Sequence, residues 1–281
     1  MRFALCADDY ALTPGVSRGI LELLEARRLT AVSVMVTEPG WPRAAAEISP
    51  FAGTADVGLH LNLTLGSPLG GMPRLAASGK FPALGALVRS ALLGRLPVAE
   101  IAAEIARQVD AFAQSFGRLP DHVDGHQHVH ALPGIRGTLL KILVRHGLAG
   151  HLWLRDPGDR LHAIVARRMA PKALAVATLT GGFAAQASAH GFARNQGFAG
   201  FSDFAPSGNY AATFAASLRL PGPRHLVMCH PGHSDAALAA LDPAAASREA
   251  ELAFFLSPAF SELLATHSAG LMRLSEAIAS R

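Results

Sequence analysis

Charge is scarce in this chain: Asp, Glu, Lys and Arg make up 16% of its 281 residues, against 50% hydrophobic. That balance excludes a disordered tail and describes a folded protein with a substantial core. Cysteine is nearly absent. Cys6 and Cys229 cannot build a disulfide framework, and each lies in an apolar run, as buried reduced thiols of a cytoplasmic protein do. No segment approaches the roughly 18 uninterrupted apolar residues of a membrane span. The first apolar stretch stops at Asp8 and Asp9, too short for a signal peptide. Aromatics reach only 6%, and no basic run is interleaved with them, so nucleic acid is not an expected partner despite the net charge of +4. No G-x-G-x-x-G or Walker pattern follows a strand-like segment, which weakens a nucleotide-binding fold.

Histidine is what the chain does have. Nine residues hold His122, His126, His128 and His130 together with Asp124, all at alternate positions. An extended chain would place these five side chains on one face, and imidazole with carboxylate suits a divalent transition metal. The ends of such a run lie roughly 26 Å apart, so one ion takes one or two of them and finds its other ligands elsewhere. Asp8 and Asp9 end a buried strand, where two acids are costly without a cation or hydrogen bonds. Neighbours on a strand face opposite ways, so one is expected to bind metal and the other to handle protons. His60 and Asn62 share the polar face of the strand Val57–Leu63, and His230 and His233 follow the strand Leu226–Cys229. Each feature alone reads as a core histidine, a helix cap or a strand exit. Four polar strand ends together favour a metal hydrolase site.

Strand-like and helical segments alternate about seven times. Strands are expected over Arg2–Ala7, Thr30–Val36, Val57–Leu63, the histidine stretch, His151–Arg155, Leu226–Cys229 and Leu271–Leu274. Helices are expected after Thr13 and Pro14, and over Leu84–Leu93, Ile101–Phe116, Pro133–His146, Asn209–Leu218, Ser247–Leu256 and Phe260–His267. Residues 161 to 190 read as helix broken near Gly181 and Gly182. Glu38 to Pro42 reads as a break, Gly66 to Pro82 as a long loop, and Gly197–Phe201 as either strand or loop. The pattern predicts an α/β fold: a single-domain (β/α) barrel over residues 1–281, irregular or seven-stranded, of the glycoside hydrolase and deacetylase type.

Four blocks then resemble the YdjC-like carbohydrate deacetylases, which include the chitooligosaccharide deacetylases. They are Ala7-Asp8-Asp9-Tyr10 with Leu12-Thr13-Pro14-Gly15, Gly58 to Asn62, Val123 to His130, and Met228 to Gly232, in family order over nearly the whole chain. Gly125 stands where many members have Ser. Asp124 to His128, Asn195 to Ser202 and Ser247 to Leu252 are similar to the branch associated with hopanoid biosynthesis. The resemblance implies a barrel holding one divalent metal ion, zinc or magnesium, on Asp9, His60 and His126. It implies Asp8 as base and His230 as acid. Asn62, Asp124, His128, His130, His233 and Arg248 are expected around the substrate or behind the ligands. The implied reaction removes the N-acetyl group from an acetylated amino sugar: N-acetylglucosamine on a hopanoid polyol or, alternatively, a chitooligosaccharide. The implied assembly is a homodimer.

Such parts suit the chemistry, because an ion with three protein ligands leaves room for water and can polarise an acetyl carbonyl. Three other readings use the same residues. Two histidines and a carboxylate also make the iron facial triad. A glycosidase would pair Asp8 with Asp124 or Glu251 about 5 to 9.5 Å apart. A non-catalytic carbohydrate- or lipid-binding protein would keep the fold alone. The leucines of Leu84–Leu93, flanked by Arg89 and Arg95, either pack in the core or rest on an anionic bilayer, placing the protein at the inner face of the membrane.

Overall fold

A computed structural model of the chain describes residues 1–203, 209–241 and 245–279. Its strands are β1 (Arg2–Tyr10), β2 (Ala31–Val34), β3 (Asp56–Leu61), β4 (His122–Gly125), β5 (Trp153–Leu154), β6 (Ala193–Arg194), β7 (Phe198–Ala199), β8 (His225–Cys229) and β9 (Gly270–Leu271). They lie in one sheet in the order β6-β5-β4-β3-β2-β1-β8-β7, and every strand pair is parallel. β1, β2, β3 and β8 are buried almost throughout, which is why they read as continuous apolar runs: helices cover the sheet's outer face. β9 pairs the first residues of β1, on the same edge that β2 takes over from Cys6 onward.

The sheet curls into an irregular α/β barrel, as expected, with eight strands along its path. Its two edge strands, β6 and β7, are separated in sequence only by Asn195, Gln196 and Gly197, so the chain itself joins the ends. Buried Asn195 secures the join. Its Oδ1 accepts from the Asp156 N–H at 2.7 Å, and its Nδ2 donates to the carbonyls of Asp156 at 2.8 Å and Gly197 at 3.1 Å.

Most helices follow their sequence signals. Pro14–Glu25 is capped by Thr13, whose hydroxyl accepts from the Val16 N–H, and it buries Val16, Ile20, Leu23 and Leu24. Val98–Phe116 buries Ile101, Ile105, Val109, Phe112 and Phe116 and ends at Gly117, which has a φ of 77°. Residues 161 to 190 form three helices, Leu161–Val165, Ala170–Leu179 and Phe183–Ala189, with the expected break at Gly181 and Gly182 and a further one after Val165. Three further helices were not anticipated. Trp41–Ile48 forms where a break was expected, because Pro42 occupies the first turn, whose N–H groups need no intrahelical partner. Ala236–Leu241 and Leu274–Ala279 are single short turns after β8 and β9. Among the described residues no helix is long and apolar enough to cross a membrane.

The histidine stretch departs most from expectation. β4 stops at Gly125, and a 3-10 segment, His126–Ala131, follows, with Gln127 and His128 at φ 54° and 61°. The five alternating side chains therefore do not share a face. His122 lies in the core, its ring stacked 4.2 Å from that of Trp153. Only glycine fits opposite it: a Cβ at Gly58 would come within 2.3 Å of the ring.

Two buried imidazoles that do not line the cleft described below give the fold a pH dependence. His225 donates to the Ser217 carbonyl at 2.9 Å and His130 to the Arg155 carbonyl at 2.7 Å. Burial pushes each down to about 4. Between the unfolded value of about 6.5 and that folded value, the unfolded chain binds protons that the native state refuses, so stability falls as pH falls. Urea unfolding should show a loss of about 2 kcal/mol per histidine from pH 7 to pH 5, and His225→Gln should remove its share of that slope.

Candidate metal centre and active site

A cleft of about 460 Å³ opens at the carboxyl ends of the strands, with Asp8, Asp9, His60, His126, His128, His230 and Arg248 on its polar floor. Asp8 and Asp9 both reach it, although adjacent strand residues ordinarily face opposite ways. The cause is a break in register between Ala7 and Tyr10, with Asp9 at φ 69°. A bulge of this kind re-aims a side chain at the cost of backbone strain.

Three side chains from distant segments converge here. Asp9 Oδ1 lies 3.0 Å from His126 Nδ1 and 3.4 Å from His60 Nε2, and the candidate ligand atoms all fall within 4.8 Å of one another. Two ligands bound tetrahedrally at about 2.1 Å sit roughly 3.4 Å apart, so this spacing suits one ion. The groups behind them suit it too. His60 Nδ1 is held by Asp124 Oδ1 at 2.6 Å, and Arg248 Nη2 donates to Asp9 Oδ2 at 2.6 Å. Asp9 is thereby left with one oxygen for an ion, and His60 with one nitrogen. Two other acid and histidine groupings, Cys6 with His122 and Asp124, and Asp8 with His60 and Asp124, also come together. Both already contain a cation. Arg155 Nη2 lies 3.1 Å from Cys6 Sγ, 2.6 Å from Asp8 Oδ1 and 2.5 Å from Asp124 Oδ2.

Arg155 went unnoticed in the sequence, and it organises the acids. Its two terminal nitrogens grip both oxygens of Asp8 at 2.6 Å while one of them also meets Asp124. Asp8 and Asp124 on one guanidinium have no bond of a sugar to flank, which removes that glycosidase pairing. Ser33 completes the group, donating to Asp124 Oδ2 at 2.6 Å. The signal was present: Arg155 directly follows β5, at a fifth strand end.

The electrostatics show a deficit of positive charge. Burial would raise Asp9, but Arg248, His126 and His60 hold it well below the usual carboxylate range. Burial would likewise raise Asp124, yet Arg155 and His60 hold it well below. Among the described residues the permanent cations paired with Asp8, Asp9 and Asp124 are Arg155 and Arg248, and the other partners of these acids are histidines. The remaining negative charge acts on His60: burial would lower it, but Asp124 and Asp8, with hydrogen bonds to Asp124 and Asp9, push it up to about 10. A divalent cation would replace that proton.

His230 lies across the floor, its Nε2 3.8 Å from Asp8 Oδ2. Burial pushes it down to about 4 against the pull of Asp8 and Asp9, so it is neutral at pH 7. Its backbone N–H donates to Glu251 at 2.6 Å, and burial pushes that carboxyl up to about 7. His128 faces the cleft edgewise to Phe198 and Phe201. The other expected residues lie behind or outside it. His130 packs on Phe183 in the core. His233 pairs with Glu22 at 2.9 Å. Asn62 is bonded within its own turn. Its oxygen accepts from the N–H groups of Thr64 and Leu65, and its amide donates to Thr37 Oγ1 and the Leu65 carbonyl, which exhausts its capacity.

The profile of the YdjC-like protein family matches residues 2–266. The chain belongs to that family. It is 38% identical over 144 residues to a chitooligosaccharide deacetylase of Enterobacter sp. (strain 638), covering 51% of this chain and 56% of that one. It is 31% identical over 183 residues to the human carbohydrate deacetylase, covering 59% and 56%. The chain therefore spans a little over half the length of these curated relatives. Two solved structures share the fold. A protein from Enterococcus faecalis V583, named as a candidate for cellobiose-phosphate cleavage, superposes with a TM-score of 0.73 at 20% identity over 98% of both chains. A peptidoglycan N-acetylglucosamine deacetylase superposes with a TM-score of 0.52 at 11% identity, over 98% of this chain and 86% of that one. In this YdjC-like chain a Cβ at Gly125 would sit 3.0 Å from the His130 backbone nitrogen and ring Nδ1, so a serine here would displace His130 by a few tenths of an ångström.

Removing Arg155 should show what it balances. Arg155→Leu leaves Asp8 and Asp124 buried without their guanidinium and should cost about 3–5 kcal/mol in urea unfolding. Arg155→Lys, which keeps the charge and loses the fork, should cost less.

Proposed function

We propose that this YdjC-like protein is a metal-dependent carbohydrate N-deacetylase, a hydrolase cutting the amide of an acetylated amino sugar. One observation carries the reading: Asp9, His60 and His126 converge on a cleft floor that also holds an acid and a histidine 3.8 Å apart. Relatives named as chitooligosaccharide and carbohydrate deacetylases support it. Asp9, His60 and His126 would hold the ion, and two imidazoles with one carboxylate suit zinc better than magnesium. When bound, such an ion supplies Lewis acidity toward water and the acetyl carbonyl.

The chain's own groups handle the protons. Asp8, its carboxylate held in place by Arg155, takes the proton of the attacking water. His230 gives a proton to the departing amine, which is too basic to leave as an anion. Since His230 begins neutral, the proton collected by Asp8 is the one it needs, and the 3.8 Å separation keeps that transfer local. Arg248 holds one oxygen of Asp9, which would leave the other for an ion, and Asp124 orients His60.

The substrate is read as amphiphilic: N-acetylglucosamine carried on a hopanoid polyol, with a chitooligosaccharide as the alternative. The names of the relatives support the second, while the apolar part of the cleft lining, Leu12, Leu65, Leu84, Val176, Phe201 and Met228, supports the first. The same reading puts the protein in the cytoplasm at the inner membrane face, as a homodimer whose state light scattering would check.

Acetate release tests the proposal, comparing N-acetylglucosaminyl hopanoid with diacetylchitobiose. Stripping metal should stop turnover and zinc should restore it. Asp8→Asn should lower kcat by about 10²–10⁴-fold with metal retained, whereas His126→Ala should lose both. Turnover unaffected by chelation would contradict the reading.

A further inference from the structure

Charge is segregated along this chain. Residues 57 to 99 contain Arg74, Lys80, Arg89 and Arg95 and no acid; residues 160 to 202 contain Arg160, Arg167, Arg168, Lys172 and Arg194 and no acid. That leaves 16 basic residues against all 21 acids in the rest. Both acid-free stretches build the cleft walls, the first with Leu65 and Leu84, the second with Lys172, Val176 and Phe201. Asp159 pairs with Arg160 and Arg167, and Asp156 with Arg194. Arg74, Arg89, Arg95 and Arg168 form no ion pair among the described residues.

The helix Leu84–Leu92 lies within the first stretch. It starts at the cleft, where Leu84 forms part of the wall, and buries only Leu87 and Ala91. Its far end is apolar and open: Leu92 is 60% exposed, Leu93 55% and, just beyond, Val98 50%. Arg89 and Arg95, both exposed, flank that leucine pair. Adjacent leucines bare to water between two unpaired cations serve no purpose in a core, and they match an interfacial segment whose leucines enter acyl chains while arginines meet headgroups.

We propose that the Leu84–Val98 rim docks on an anionic lipid bilayer and presents the cleft mouth to amphiphiles held there. The purpose rests on the amphiphilic-substrate reading above, while the observations behind the docking do not. A second copy of the chain is a poor occupant, because a two-fold contact at this face would set Arg89 and Arg95 against their own copies with no acid between. An anionic bilayer supplies the missing charge at about 1 kcal/mol per basic residue.

Flotation with vesicles is the test, using equal parts phosphatidylglycerol and phosphatidylcholine against phosphatidylcholine alone. The protein should float with the anionic vesicles at low salt, and not with the neutral ones, and raised salt should release it. R89Q/R95Q should weaken partitioning about thirtyfold, and L92S/L93S by about tenfold or more. Both double variants should keep wild-type turnover of soluble diacetylchitobiose. No flotation at low salt, or equal flotation of L92S/L93S, overturns the proposal. So does a wild-type dimer that L92S/L93S splits while neither form floats. Flotation without any acetate release would uphold the docking surface and count against the deacetylase reading alone.

Discussion

Three buried carboxylates facing two buried guanidiniums set the terms for this structure. Asp8, Asp9 and Asp124 lie at the ends of two strands, held by Arg155 and Arg248 from two other segments. Taking an unpaired charge out of water costs several kcal/mol, so a leftover negative charge cannot simply be tolerated. Here it falls on His60, pushed up to about 10 between Asp124 and Asp9. A divalent ion would relieve the same deficit with better geometry, since the three atoms nearest the excess charge are already spaced as ligands.

The fold supplies this arrangement through departures from regularity. A regular β1 would turn Asp8 and Asp9 to opposite sides; the break at Asp9 turns both to the cleft. A regular β4 would carry the histidines away along a line. Stopping at Gly125 and tightening into a 3-10 turn brings His126 back over Asp9 and buries His130 behind it. The helix Ala245–Leu256 then closes the floor from outside the sheet, with Arg248 on Asp9 and Glu251 on the backbone of His230.

The regular parts were legible in the sequence. Buried parallel strands announced themselves as apolar runs, and the helix after Thr13 and Pro14 carried its cap and its stripe. Asp9, His60 and His126 were recoverable through their family blocks, and the structure brings them together. Spacing alone misled where the backbone leaves its ideal path. Alternation placed five side chains of the histidine stretch on one face, and positive φ at Gln127 and His128 undoes it. Asn62 looked polar and available, but the turn it closes is visible only in three dimensions. Arg155 was missed because one arginine beside a short strand carries no pattern; what marks it is burial between two acids 147 and 31 residues away.

Anomalous diffraction at the zinc edge, on crystals of the zinc-loaded protein, tests the charge account most directly. One site per chain is expected, bonded to Asp9 Oδ1, His60 Nε2 and His126 Nδ1 at about 2.0–2.2 Å, with Arg248 still on the other oxygen of Asp9. Zinc bound instead among Cys6, His122 and Asp124, or no ordered zinc at all, would contradict it.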